Sequence, residues 1–453
     1  MNNNREWVSL ATQAQTAQRI DEPTMRRAIT ACAIGNCTEW FDYSTYGYLA
    51  VTLGVVFFPS ENPTISLLSS FAVFGAAFVV RPLGGLFFGP LGDRIGRQKV
   101  LAATILLMAG ATFAAGLLPG YATIGIWAPI LLVLMRLLQG FSAGGEYGGA
   151  STFMAEYAPD DRRGFLGSWL EFGSLGGYMM GSGLVTLMTV ILSQDAMVSW
   201  GWRIPFLVAG PLGIIGLYLR YRLEDTPDFQ ALESGGEVAQ APLKETITEN
   251  WRPMLILGGV MIIGNVGNYI LLTYMPSYFS ERLNIGDTTA LLVIFVAIIF
   301  MMALITQVGA LSDRVGRKPM WIAGSVGFVV LAYPVFWLIS LGNWFTTLLG
   351  LLVLALCQVF ILGVIPSTLP ALFPCKVRYG GFAISYNISV ALFGGTAPFL
   401  ATYLTDATGS NFAPAFYLMA AALVSLIPIL LMTESARTPL MGSPATASEA
   451  SVT

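Results

Sequence analysis

No histidine occurs anywhere in the 453 residues. Its absence removes the side chain that titrates near neutrality and the commonest metal ligand. A histidine-based catalytic triad or zinc site is therefore excluded, and no cofactor is expected. Charge is scarce as well. Only 11% of the residues are Asp, Glu, Lys or Arg, against roughly 25% in soluble domains. A chain so short of charge cannot clothe its whole surface for water. The four cysteines, Cys32, Cys37, Cys357 and Cys375, form no C-x-x-C pattern, so redox and metal-binding spacings are missing too. A net charge of −3 supplies no field that would gather nucleic acid, and no nucleic-acid partner is expected. The first 25 residues are polar and lack the apolar stretch of a secretory signal. The amino terminus is expected to stay in the cytoplasm.

What the chain has instead is apolar sequence: 55% of it is hydrophobic and the mean hydropathy is +0.68. Runs long enough to cross a bilayer, about 20 residues each, fall near 27–57, 67–91, 98–118, 124–148, 164–192 and 202–221. Six more follow near 253–279, 288–311, 319–340, 344–372, 379–404 and 412–433. The pattern predicts an all-α integral membrane protein with twelve transmembrane helices. It divides into a cytoplasmic tail (1–26), a six-helix bundle (27–221), a polar central loop (222–252), a second bundle (253–433) and a short tail (434–453). Nineteen of the 23 Lys and Arg residues fall in segments that this topology puts on one side. Only Arg203 and Arg282 fall opposite, while Arg81 and Arg136 lie inside spans. Basic loops stay in the cytoplasm, so both termini are expected there, in a bacterial inner membrane.

The halves repeat. GPLGDRIGRQK (89–99) and GALSDRVGRKP (309–319) occupy equivalent loops 220 residues apart, and two pseudo-symmetric six-helix bundles are a common transporter layout. Asp93 with Arg94 and Arg97, and Asp313 with Arg314 and Arg317, fall at helix ends. An aspartate there can accept from a facing helix N-terminus and bond a neighbouring arginine, latching a cytoplasmic gate.

Ionisable groups at membrane depth are expensive and mark function. All that lie well inside spans belong to the first half: Glu39, Asp42, Arg81, Arg136, Glu146 and Glu171. Glu39, Asp42, Tyr43 and Tyr46 share one helical face by their spacing. Two carboxylates so close in low dielectric cannot both ionise cheaply, which suits a proton carrier. Glu39, Asp42, Arg136 and Glu171 are the candidate proton-coupling residues. Glu146 is equally suited to a salt bridge with loop arginines. Arg81, beside Pro82, is expected to snorkel to the interface. Glycines 140, 144 and 148, and 173, 177 and 181, recur every fourth residue and let helices approach closely.

The loop signature G-x-L-x-D-R-x-G-R and the string Arg136-Leu-Leu-Gln139-Gly140 resemble motifs of the major facilitator superfamily. EWFDYSTYG (39–47), QGFSAGGEYGGAS (139–151) and AEYAPDDRRGFLGSW (155–169) resemble its metabolite–proton symporter branch, above all the bacterial symporters of proline and glycine betaine. The resemblance runs from about residue 30 to 433 and implies the major facilitator fold, proton symport by alternating access, and a gate latch favouring the outward-facing state. Span five lacks the G-P-x-x-G-G of antiporters, which also implies symport. The osmosensing members of the branch end in a coiled coil. The tail TESARTPLMGSPATASEASVT has no heptad repeat, which puts that device in doubt here.

Aromatic faces hold a quaternary ammonium well. Trp40, Tyr43, Tyr46, Trp169, Tyr178, Asn265, Asn268 and Tyr269 are the candidate substrate cavity, suited to a zwitterion such as proline or glycine betaine. The alternative substrate is a di- or tricarboxylate or related organic acid (2-oxoglutarate, citrate, shikimate), which calls for further basic residues in the cavity. A membrane enzyme would need a nucleophile or metal cluster, and none is visible. The partners expected are the small-molecule substrate, protons and the lipid bilayer, with no obligate protein partner.

Overall fold

In the computed structural model the described residues are 22–95, 97–221 and 242–441, without the side chains of 24, 90, 92–98, 219–221 and 242–245. Among them twelve helical spans follow one another, because a chain in lipid must satisfy its backbone polar groups internally. Span 1 is Glu22–Tyr48, which turns at Leu49 into Ala50–Phe57. Spans 2 to 6 are Pro63–Ile95, Arg97–Gly116, Trp127–Tyr157, Arg163–Ile191 and Arg203–Tyr221. Spans 7 to 12 are Trp251–Leu283, Asp287–Val315, Arg317–Ile339, Trp344–Thr368, Cys375–Thr408 and Ala413–Leu431. Ten of these are long and apolar enough to cross a membrane by composition, and span 6 joins them when taken with the bent segment before it. Span 1 falls short because Glu39, Asp42, Asn36 and several hydroxyls interrupt its apolar run.

The two halves pack alike. Span 1 lies against span 5, span 2 against span 4, and span 3 against span 6, while spans 9, 10 and 12 brace spans 7 and 8. The halves meet chiefly along spans 5 and 8 and spans 2 and 11. The glycine ridges explain the closeness. A Cβ on Gly140 would overlap the Ala77 carbonyl, and one on Gly177 would overlap the Cys37 carbonyl. Between the halves, a Cβ on Gly164 would strike Gly309. The outer faces carry apolar side chains such as Val79, Leu83 and Phe87, each more than half exposed.

Several expected boundaries shift. Span 4 continues to Tyr157, well past 148, as a helical arm beyond the apolar stretch. Span 10 ends its regular helix at Leu362, where Gly363 and Pro366 interrupt the backbone bonding. Spans 7 and 11 each contain a π-turn, Ile270–Tyr274 and Val390–Gly394. Part of the central loop is helical, over Pro242–Glu249. The segment Glu434–Met441 is not a free tail: it folds back beneath the arginine-rich end of the bundle, with Ser435 and Leu440 buried.

Candidate functional site

Between the halves lies a small cavity of about 20 Å³, room for about one water molecule. Trp40 of span 1, Tyr147 of span 4, Glu171 and Tyr178 of span 5, Asn265 and Asn268 of span 7 and Tyr386 of span 11 line it. The rings have closed on each other. Trp40 stacks on Tyr178 at 5.3 Å between centroids, and Tyr147 on Tyr386 at 4.4 Å. Polar groups are tied in: the Tyr147 hydroxyl donates to Glu171, Asn268 donates to the Tyr178 hydroxyl at 3.2 Å, and Asn265 donates to Ser389 at 3.2 Å. No basic side chain is among the residues lining this cavity. Tyr269 stands at its edge, 6.1 Å from Trp40 and 5.3 Å from Phe78 by ring centroids.

Behind the aromatic wall sits a buried charge cluster. Glu39 meets Arg81 at 3.2 Å and Asp42 meets Arg136 at 3.7 Å, all essentially without exposure. Gln139 bridges the second pair, accepting from Arg136 at 2.7 Å and donating to Asp42 at 3.2 Å and to Thr112 at 2.8 Å. The Tyr43 ring lies between the two guanidiniums, 5.4 Å from each, and Arg136 covers Tyr46 at 4.4 Å. The shared face read from span 1 thus exists, but each of its carboxylates has its own arginine.

Arg81 does not snorkel. It lies near the middle of the 33-residue span 2 and on the same ridge as Gly85 and Gly89, which face spans 4 and 11. That glycine spacing was the available signal, since a ridge of small residues faces protein and not lipid. Tyr43 and Tyr46 face the arginines and not the cavity, and the Tyr46 hydroxyl donates to the Ser70 carbonyl at 3.1 Å. Trp169 stands apart, in an outer cleft between spans 1 and 5 with Met25, Ile29 and Phe172. Glu146 is buried on span 4 and accepts from the Thr104 hydroxyl at 3.4 Å; the side chains of the loop arginines Arg94 and Arg97 lie outside the described residues.

At the arginine-rich end the halves are fastened together. Asp313 accepts from the backbone N–H groups of Gly164 at 2.7 Å and Phe165 at 2.8 Å, capping span 5 across the interface. Arg317 stands 3.8 Å from Asp313, while Arg314 is exposed. The side chains of Asp93, Arg94 and Arg97 lie outside the described residues. Sequence reasoning missed a second fastening, the ion pair of Arg378 with Glu156 at 3.0 Å, buried on both sides. The folded-back segment adds more. Arg437 donates to the Asp313 carbonyl at 2.8 Å, and the Thr438 carbonyl accepts from Arg163 at 3.0 Å. Glu434 caps span 9 by accepting from Arg317 and Lys318 N–H, each at 3.0 Å. Partial burial pushes the Glu434 carboxyl up, but four backbone N–H donors outweigh it and hold the group below the ordinary glutamate value.

Comparison with known proteins agrees with this geometry. The Proline/betaine transporter of Salmonella typhimurium strain LT2 is 48% identical over 439 residues, covering 95% of this chain and 88% of that one. The Glycine betaine/proline/ectoine/pipecolic acid transporter OusA of Dickeya dadantii is 46% identical over 444 residues, with the same coverage of 95% and 88%. Among solved structures, the proton:xylose symporter XylE bound to 6-bromo-6-deoxy-D-glucose matches with a TM-score of 0.76 at 16% identity, covering 94% of this chain and all of that one. At that identity the likeness speaks for the fold alone. Residues 32–387 match the sequence profile of the Major Facilitator Superfamily, and with its twelve spans in two like halves the chain belongs to that superfamily.

Proposed function

We propose that this multi-pass membrane transporter imports a small zwitterion, such as proline or glycine betaine, together with a proton by alternating access. The observation that carries the reading is the cavity itself: four aromatic rings, one carboxylate and two amides, with no basic residue. Rings and Glu171 suit an ammonium group, and the Asn265 and Asn268 amides suit a carboxylate. Di- and tricarboxylates would bring two or more negative charges to a wall that offers no cation. The relatives named as proline and betaine transporters support the same class.

Glu39, Asp42, Arg136 and Glu171 are the proposed proton-coupling groups. An arginine stays charged, so a proton taken by Glu39 or Asp42 frees its arginine to find another acceptor, and that exchange can bias how the halves pack. The bundles 27–221 and 253–433 are the proposed moving bodies. The excess of Lys and Arg in the loops at the terminal-bearing end supports placing that end in the cytoplasm of a bacterial inner membrane. Among the described residues, the small cavity and the fastened arginine-rich end support reading this as a state closed on that side. Labelled glycine betaine uptake into energised vesicles, competed by proline, 2-oxoglutarate, citrate and shikimate, tests the substrate class. Proline should compete, and competition by the organic acids alone would overturn the zwitterion reading.

A further inference from the structure

Asn387 stands on span 11, in the second half, yet its side chain is buried among groups of the first. Its Oδ1 accepts from Arg81 Nε at 2.9 Å. Its Nδ2 donates to the Gly144 carbonyl at 2.6 Å and to the Ala383 carbonyl of its own helix at 2.7 Å. Arg81 in turn reaches Glu39 at 3.2 Å and the Ala143 carbonyl at 3.4 Å. A neutral amide from one half thus gives the Nε of a guanidinium that the other half keeps from water its acceptor, while Nη1 is left without one among the described residues. Two of the three Asn387 bonds cross between the halves, so they last only while spans 2, 4 and 11 are pressed together. Gly85 leaves the room for this, since a Cβ there would stand 3.3 Å from Asn387 Nδ2.

We infer that Asn387 is a positioning residue for the proton step, holding Arg81 against Glu39 while the cytoplasmic end is closed and releasing it when that end opens. The inference rests on the reading of Glu39 as a proton site. A buried guanidinium left short of an acceptor is costly. When Glu39 carries a proton, the Asn387 oxygen is the acceptor that keeps Arg81 in place. When span 11 swings away, Arg81 depends on Glu39 and on entering water. Gate position and Glu39 protonation are therefore linked through one arginine, and such linkage acts equally in both directions.

Among the described residues, these groups surround the pair. Arg81 also faces Tyr43, Tyr178, Tyr269 and Tyr386, and Glu39 faces Tyr43, Tyr147 and Tyr386. The neighbouring charges are the Asp42–Arg136 pair and Glu171, which has its own bond to Tyr147.

The test is substrate exchange across proteoliposome membranes from pH 5 to 8, which needs no net proton flow. Asn387→Ala should move the midpoint of the pH profile by about one unit, the displacement that corresponds to losing one hydrogen bond to a charged group. Gly85→Ala, which crowds the amide from the other side, should move it the same way and serves if Asn387→Ala does not fold. Ser385→Ala, a buried neighbour bonded to its own helix at Gly381, should leave the midpoint in place. In a Glu39→Gln background the Asn387 substitution should move nothing. A wild-type midpoint in both Asn387→Ala and Gly85→Ala overturns the inference. A Glu39→Gln protein that keeps the wild-type profile overturns instead the reading of Glu39 as a proton site.

Discussion

Arg378 and Glu156 sit 222 residues apart in sequence and 3.0 Å apart in the fold, with both side chains buried. One belongs to the start of span 11 and the other to the end of span 4, so the pair closes only when the halves meet at the arginine-rich end. Breaking one side of such a pair strands a buried charge, at about 3–5 kcal/mol. Arg378→Ala should therefore favour the inward-open state, seen as faster labelling of cysteines placed along spans 4 and 10. The charge exchange Glu156→Arg with Arg378→Glu should restore slow labelling.

Asp313 supplies the second fastening, and its two bonds to the start of span 5 are charge-assisted, each worth about 1.5–3 kcal/mol at most. Asp313→Ala should lower the uptake rate several-fold while surface expression stays normal. Asp313→Asn keeps one acceptor and should fall between. Unchanged uptake in Asp313→Ala would count against a gate role.

The glycine ridge makes a stability prediction. Gly140→Leu forces span 4 away from the Ala77 backbone, and overpacking of this kind costs about 1–3 kcal/mol or more. The purified protein should melt several degrees lower. Gly258→Ala, where nothing stands within 4 Å, should melt as the wild type does.

Much of the fold was legible because its causes are local. Apolar runs of bilayer length set the spans, and small residues every fourth position set the contacts of spans 4 and 5. The polar face of span 1 was legible too, since helical spacing alone brings Glu39, Asp42, Tyr43 and Tyr46 together. The partners of that face were not. Arg81 looks interfacial when counted from the following loop, and only the packing of span 2 turns it inward. Asn387, Tyr386 and the Glu156–Arg378 pair depend on how span 11 lies against spans 2 and 4, which no local pattern encodes. The π-turn at Ile270–Tyr274 contains neither glycine nor proline, although Pro276 just after it offers no N–H to the Leu272 carbonyl.

Glu434 gives a pH dependence at the arginine-rich end. Its carboxyl titrates below the ordinary glutamate value of 4.5, so its contribution is complete above that value. The contribution is lost as the pH falls further, through the lower native value, when the capping carboxylate is protonated. Taken relative to the intrinsic rate, hydrogen exchange at the Arg317 and Lys318 amides should accelerate on acidification below pH 4.5. Glu434→Gln should remove that extra acceleration.

The most direct measurement is the accumulation of labelled glycine betaine in proteoliposomes under an imposed inward proton gradient. The wild type should concentrate the solute, and a protonophore should abolish the concentration. Glu39→Gln and Asp42→Asn should lose accumulation while retaining exchange. Accumulation that survives the protonophore, or that persists at the wild-type level in both variants, would contradict proton coupling through the buried carboxylates of span 1.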